Sequence, residues 1–92
     1  MRTFSRTNQF KKDVKLAIRR GKDTAKLKEV LDWLIEGKGL PPRFKDHPLR
    51  GNFAGSRDCH LEPDWLLIYT LIENGGHVCF ERTGTHSDLF SR

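Results

Sequence analysis

The hydrophobic positions in the first 39 residues recur at helical spacing. A stripe of apolar residues follows Thr7, a suitable N-cap, and stops before Gly21. A second stripe follows Asp23 and stops before Gly37 and Gly39. The two stripes consist of Phe10, Val14, Ala17 and Ile18, and of Leu27, Val30, Leu31 and Leu34. The pattern therefore predicts two amphipathic helices in tandem, and residues 1–4 ahead of them are compatible with a short edge strand.

Beyond residue 39 the pattern changes to the alternation that is typical of strands. Residues 40–52 contain three prolines and the stretch HPLRGN, which predicts an ordered connector. Residues 53–60, 65–72 and 77–83 are predicted strands, joined by LEP and NGG turns. The middle strand is apolar on both faces, so we place it in the centre of the sheet. We predict one α+β domain over residues 1–92, with two N-terminal helices packed on a twisted antiparallel sheet of three to four strands and a short C-terminal helix.

That C-terminal helix is predicted from the stretch TGTHSDLF. Thr85 and Asp88 fit the spacing of a capping box, which makes His86 the first helical residue. The N-terminus of a helix attracts phosphate groups and disfavours a protonated imidazole. Phe90 lies one turn later, on the same side as His86.

The strand register decides which polar side chains meet. If LEP and NGG are both three-residue loops, His60 lies opposite Asp64, Asp64 opposite His86, and Ile68 opposite Arg82. Asp64, Arg82 and His86 then share one face of the sheet. A two-residue NG loop would instead pair Leu67 with Arg82 and would turn Arg82 to the other face.

Histidines, a carboxylate and an arginine on one face suit the cleavage of RNA through its own 2′-hydroxyl group. That reaction needs a base for the 2′-hydroxyl proton, an acid for the leaving 5′-oxygen and a cation for the phosphate. Histidine suits both proton transfers and Arg82 suits the phosphate. Phe90 or Trp65 could stack on an unpaired base. The chemistry requires no metal and no other cofactor.

Several of these residues also have simpler interpretations. Trp65 fits the core better than a stacking platform, and Phe90 could pin the tail to the core. His47, in the proline-rich connector, is either a phosphate contact or a hydrogen-bonded anchor of the loop. His77 lies outside the cluster, and we expect it to be structural.

The charge is unevenly distributed along the chain. Residues 1–50 hold 14 of the 17 Lys and Arg residues and 6 of the 12 acidic ones. Lys11, Lys15 and Arg19 lie on one face of the first predicted helix, and such a surface either meets a polyanion or is merely solvated. MRTFSRTNQF lacks the apolar segment of a secretion signal, and no apolar run is long enough for a membrane span, so we expect a cytoplasmic protein. In that compartment Cys59 and Cys79 are expected to be reduced thiols, and the absence of CxxC and HxxxH pairs argues against a zinc site.

The order of these elements, with the motifs FKDHPLRG, RDCHLEPDWLLIY and FERTGTHSDLF, resembles the RelE/ParE superfamily of type II toxins, within it the YafQ branch of mRNA interferases. The resemblance implies a toxin that cleaves messenger RNA in the ribosomal A site without a metal. It places the functional set on His47, His60, Asp64, Trp65, Arg82, His86 and Phe90. We assign His86 as the general acid, Asp64 or His60 as the base, Arg82 to the phosphate and His47 as a supporting contact.

The resemblance also implies partners. An acidic antitoxin would cover the basic toxin, and the two together would bind operator DNA, which the chain alone is not expected to do. Two alternatives remain open at this point: a ParE-like toxin that inhibits gyrase without catalysis, and an RNA-binding module that cleaves nothing. The histidine cluster argues against the first.

Overall fold

Three helices and five strands form the described part of the chain, residues 1–90, in a computed structural model. Short 3₁₀ turns connect several of them. The elements in chain order are β1 (Thr3–Arg6), α1 (Asn8–Arg19), α2 (Thr24–Glu36), β2 (His47–Pro48), β3 (Arg57–Glu62), β4 (Trp65–Ile72), β5 (His77–Gly84) and α3 (His86–Phe90).

The predicted ends of the first two helices are confirmed. The Thr7 side chain accepts a hydrogen bond from the Phe10 N–H, and the Asp23 carboxylate accepts one from the Ala25 N–H. Gly37 ends α2 with a φ of 80°, a left-handed conformation that glycine adopts without strain. None of the helices within residues 1–90 is long and apolar enough to cross a membrane.

The α+β class is confirmed, but the sheet is larger than predicted and is mixed. Its strand order is β1-β5-β4-β3-β2, and β1 runs parallel to β5 while the other neighbours are antiparallel. The parallel pair arises because the chain passes through α1 and α2 after β1 and reaches β5 last, which a hairpin cannot do. The fifth strand, β2, lies in the predicted connector and pairs His47 with Asp58. The strand predicted over 53–60 begins only at Arg57, because residues 51–53 form a 3₁₀ turn.

The two faces of the sheet are covered differently. One face, here called the helix-covered face, packs against α1 and α2 and holds most of the core. The other, here called the open face, carries a small cluster in which Leu66 and Ile68 of β4 pack against Leu89 of α3. β4 is buried on both faces, so its predicted central position is confirmed. The open face is where polar side chains of several elements meet.

Both cysteines are free thiols. Cys59 is buried on the helix-covered face, and burial raises the pKa of its thiol above the usual value. Cys79 is partly exposed on β5. β4 lies between the two strands that carry these thiols, so they do not pair with each other. His60 follows Cys59 on β3 and therefore points to the opposite face.

Candidate functional site

The hairpin between β3 and β4 differs from its predicted register. His60 lies opposite Leu66, so its predicted pairing with Asp64 is wrong. The register shifts between His60 and Glu62, and Glu62 then lies opposite Trp65, which leaves Pro63 and Asp64 as a two-residue turn. Asp64 is consequently exposed at the tip of the hairpin.

The predicted pairing of Ile68 with Arg82 is confirmed, although its predicted cause is wrong. Four residues, 73–76, separate the paired Ile72 and His77, instead of the three that were expected. This longer loop alone would place Arg82 opposite Leu67. A β-bulge at Glu81 adds one residue to β5 and restores the partner Ile68, which turns Arg82 to the open face.

Two hydrogen bonds join Asp64 to His86. Asp64 Oδ1 accepts hydrogen bonds from the His86 backbone N–H at 2.8 Å and from the ring Nδ1 at 2.6 Å. These two bonds hold the pKa of the Asp64 carboxyl below its usual value, so it stays ionised. With Nδ1 occupied, the His86 ring presents Nε2 outward, and the neighbouring carboxylate stabilises positive charge on the ring.

The capping box that starts α3 is also confirmed. The Thr85 hydroxyl accepts from the Asp88 N–H, and the Asp88 carboxylate accepts from the Thr85 N–H, both at 3.0 Å. Arg20 at the end of α1 donates to the same carboxylate at 2.6 Å. An added Cβ at Gly84 would lie 2.9 Å from Asp88 Oδ2, so this glycine leaves room for the cap. The ion pair and the cap together orient the first residue of α3.

Three histidines form a row on the open face. The His60 ring lies 5.6 Å from the His86 ring and 6.5 Å from the His47 ring, measured between centroids. Partial burial lowers the pKa of His60 more than the Asp58 carboxylate raises it. His60 is therefore neutral near neutral pH and can accept a proton.

Asp58 lies beneath this row and was not among the predicted site residues. Its side chain is on the same face as His60, two residues along β3, and the residue is only 3% exposed. Burial raises the pKa of its carboxyl, and the charges of His47, His60 and His86 oppose that shift. The alternation of Asp58 and His60 along one strand was the signal that could have identified it.

His47 is held by the loop before it. Its Nδ1 lies 2.7 Å from the Lys45 carbonyl oxygen and 3.1 Å from Asp58 Oδ1, and the hydrogen points at the carbonyl. The adjacent Asp46 accepts from the Tyr69 hydroxyl at 2.6 Å and from Arg57 at 3.2 Å. Both predicted interpretations of His47 remain compatible with this geometry, because the loop anchors the ring and leaves Nε2 exposed.

Arg82 forms an ion pair with Asp13 of α1, which was not among the predicted site residues. Its Nε and Nη2 donate to Asp13 at 2.7 and 3.2 Å, and Asp13 also accepts from the Thr83 N–H at 3.1 Å. Asp13 is 7% exposed. The pairing leaves Nη1 and one N–H of Nη2 available for another acceptor.

The two aromatic residues of the predicted set differ sharply in exposure. Trp65 is 1% exposed in the core of the helix-covered face, so its preferred interpretation as a core residue is confirmed and the alternative of a stacking platform is wrong. Phe90 is 41% exposed, lies 6.4 Å from the His86 ring and meets Phe53 edge-on at 5.7 Å. Phe90 is therefore accessible to a base beside His86.

The remaining predicted residues lie outside this cluster. Lys11, Lys15 and Arg19 are exposed on α1, as the helical pattern predicted. His77 bridges β1 and β5, because its two ring nitrogens contact the hydroxyls of Thr3 and Ser5 at 2.7 and 2.8 Å. The structural role predicted for His77 is thereby supported.

Comparison with known proteins identifies close relatives of the chain. Residues 2–91 match the model of the family described as the bacterial toxin of type II toxin-antitoxin system, YafQ. The mRNA interferase toxin YafQ of Escherichia coli K12 is 50% identical over 90 residues, which are 97% of this chain and 96% of that protein.

Solved structures agree with the sequence match. The crystal structure of YafQ from E. coli strain BL21(DE3) has a TM-score of 0.91 and 48% identity, and it covers 98% of this chain and 99% of that one. The toxin in the crystal structure of the E. coli DinJ-YafQ toxin-antitoxin complex has a TM-score of 0.89 and 50% identity, with 97% of both chains covered.

Proposed function

Because the chain belongs to the YafQ family of bacterial type II toxins, we propose that it is an mRNA interferase whose catalytic groups are the histidine row and Asp64. The contact that carries this proposal is the 2.6 Å bond between His86 Nδ1 and Asp64. It supplies an oriented imidazole beside a second one, His60, with a centroid separation of 5.6 Å. An acid and a base at this spacing can flank one phosphodiester.

The reaction proceeds by attack of the ribose 2′-oxygen on the adjacent phosphorus. His60 takes the proton of the 2′-hydroxyl while the new O–P bond forms. The bond from phosphorus to the 5′-oxygen breaks, and His86 protonates the leaving oxygen through Nε2. The products are a 2′,3′-cyclic phosphate and a free 5′-hydroxyl. Asp64 is engaged with His86, which favours His60 over Asp64 as the base.

Four further residues support the reaction in this proposal. The negative charge of Asp58 favours the protonated His60 that forms when the base takes its proton, and the His47 ring lies beside it. Arg82 contributes its free N–H groups to the phosphate, and Phe90 stacks on a base next to His86. All proton transfers use side chains of the chain, so cleavage does not require a metal.

The proposed partners are inferred from the relatives and from the positive charge of this chain. DinJ accompanies YafQ in the complex described above, and we propose an acidic antitoxin for this chain, seated on a surface that includes Lys11, Lys15 and Arg19. The substrate is messenger RNA in the ribosomal A site, so the protein acts in the cytoplasm. Binding to operator DNA belongs to the toxin-antitoxin complex.

The test is to map messenger ends in a translation extract that receives wild-type protein, His86→Ala or Ser87→Ala. Ser87 is the exposed neighbour of His86 in α3 and serves as the control. We expect new ends with wild type and Ser87→Ala, and a loss of roughly 100-fold or more with His86→Ala. Growth arrest of cells that express the wild-type protein, with their messengers intact, would refute the nuclease function and favour the gyrase-directed alternative. Full cleavage by His86→Ala would refute the assignment of the acid alone.

A further inference from the structure

A cavity of about 330 Å³ opens on the open face next to the proposed cleavage site. Its walls come from the start of α1, the loop before β3 and the bulged part of β5. The lining residues are Thr7, Gln9, Asn52, Phe53, Ala54, Ser56, Glu81 and Arg82. The mechanism above uses only Arg82 among them.

A row of aromatic rings joins this cavity to the general acid. Phe90 lies between His86 and Phe53, and its ring centroid is 6.4 Å from that of His86 and 5.7 Å from that of Phe53. Phe53 in turn forms a wall of the cavity. A single-stranded RNA whose 5′-oxygen leaves at His86 continues in the direction of Phe90. The base of the leaving nucleotide can therefore stack on this exposed ring and place its edge in the cavity.

The bulge in β5 gives the cavity its polar groups. It places the side chains of two successive residues, Glu81 and Arg82, in the same space, which a regular strand would send to opposite faces. The Thr7 hydroxyl donates to the Glu81 carbonyl oxygen at 2.8 Å, and Asp13 holds Arg82. These contacts from the N-cap and the first turns of α1 stabilise the bulge.

The carboxylate of Glu81 is only partly used within the protein. Thr70 donates to Glu81 Oε2 at 3.0 Å, and Ser56 contacts the same Thr70 hydroxyl at 2.8 Å. No donor within residues 1–90 bonds to Oε1, so this oxygen can accept a hydrogen bond from a ligand. An ionised carboxylate only accepts, so it favours a base that offers an amino group.

We propose that this cavity binds the nucleobase on the 3′ side of the cleaved bond, and that Glu81 selects a base with an exocyclic amino group. Adenine, guanine and cytosine carry such a group and uracil does not. Asn52 lies at the same cavity and offers partners to the rest of the base edge. The inference rests on the proposed function, since it assumes that His86 protonates the leaving 5′-oxygen.

The experiment maps cleavage ends on a pool of messengers of mixed sequence and records the nucleotide on each side of every cut. Wild-type protein is expected to avoid uracil on the 3′ side. Glu81→Gln keeps the size of the side chain and adds an N–H donor that uracil can accept from. The share of uracil at that position should rise on the order of 10-fold, while the preference on the 5′ side stays unchanged. Glu29→Gln, on the exposed surface of α2, is the matched control.

A second measurement does not depend on cleavage. A short single-stranded DNA lacks the 2′-hydroxyl and cannot be cut, so its binding can be followed by NMR. We expect amide shifts at residues 51–54 and at Gln9, which Asn52→Ala reduces. Cleavage with an unchanged 3′ preference in Glu81→Gln, together with no shifts at residues 51–54, would refute base binding in the cavity. The proposed function would remain intact. An absence of cleavage by wild type would overturn both.

Discussion

A single carboxylate oxygen of Asp64 accepts both the backbone N–H and the ring Nδ1 of His86, at 2.8 and 2.6 Å. The first bond positions the start of α3, and the second sets the rotation and tautomer of the ring. Asp64 itself is placed by the two-residue turn between β3 and β4. The hairpin tip and the C-terminal helix therefore form one unit, on which the orientation of the proposed acid depends.

Asp64→Asn should lower the cleavage rate by roughly 10- to 100-fold, because the amide oxygen can still accept both bonds but carries no charge to stabilise a protonated His86. The measurement is the rate of messenger cleavage at saturating ribosome concentration. Asp32→Asn is the control, since Asp32 lies on α2 in an exposed ion pair with Lys28. Equal rates for wild type and Asp64→Asn would show that the contact is not used in catalysis.

The pH dependence of the cleavage rate should reflect the protonation of His60. Its pKa lies below the usual value of 6.5, mainly because of burial, so the neutral base is already present somewhat below that pH. The rate should therefore rise with pH along an acid limb whose midpoint is below 6.5. Asp58→Asn removes a carboxylate that raises the pKa of His60 and should move the limb to still lower pH. A limb that moves upward in Asp58→Asn would contradict this assignment of the base.

The ion pair between Arg20 and Asp88 should stabilise the fold in a pH-dependent way. The guanidinium and the Thr85 N–H hold the pKa of the Asp88 carboxyl well below its usual value of 3.8. The stabilisation is therefore complete above the unfolded-state pKa and is lost as the pH falls through the folded-state pKa. At pH 7 Asp88→Asn should lower the free energy of unfolding by up to about 1 kcal/mol, because it removes the charge that pairs with Arg20 while the amide oxygen can still accept from the Thr85 N–H.

Urea unfolding at pH 7 and below pH 3 measures this difference. The gap between wild type and Asp88→Asn should shrink at the lower pH, because the Asp88 carboxyl of the unfolded wild-type chain then binds a proton, which reduces the stabilisation. Ser87→Ala should follow wild type at both values. A gap that stays constant with pH would show that the charge of Asp88 contributes nothing.

Asp13 and Arg82 should be energetically coupled. Asp13→Ala leaves the partly buried guanidinium without its partner and should cost about 2 kcal/mol of unfolding free energy, less than a fully buried pair because Arg82 is partly exposed. In the double variant Asp13→Ala/Arg82→Ala the loss should be clearly smaller than the sum of the single losses. Unfolding of the four proteins in urea gives the coupling, and strict additivity would argue against it.

Local patterns predicted much of this molecule. The stripes at three- and four-residue spacing identified α1 and α2, and the capping box at Thr85 identified α3, because helices and their ends are stabilised by neighbours in the chain. The parallel strand β1 was not predicted as such. Its partner lies at the far end of the chain, and no local signal states which edge it joins.

The same distinction between local patterns and long-range contacts applies to the candidate site. Residue types and their spacing identified the available chemical groups, among them His60, Asp64 and His86, and showed that the last of these starts a helix. Their arrangement depends on the folded chain, because a loop longer by one residue and a bulge at Glu81 compensate for each other in the register of β5. Burial likewise distinguishes Trp65 from the exposed Phe90. The packing of α1 next to β5 brings Asp13 into contact with Arg82, 69 positions away in the sequence. Such contacts depend on the packing of whole elements, which residue spacing does not record.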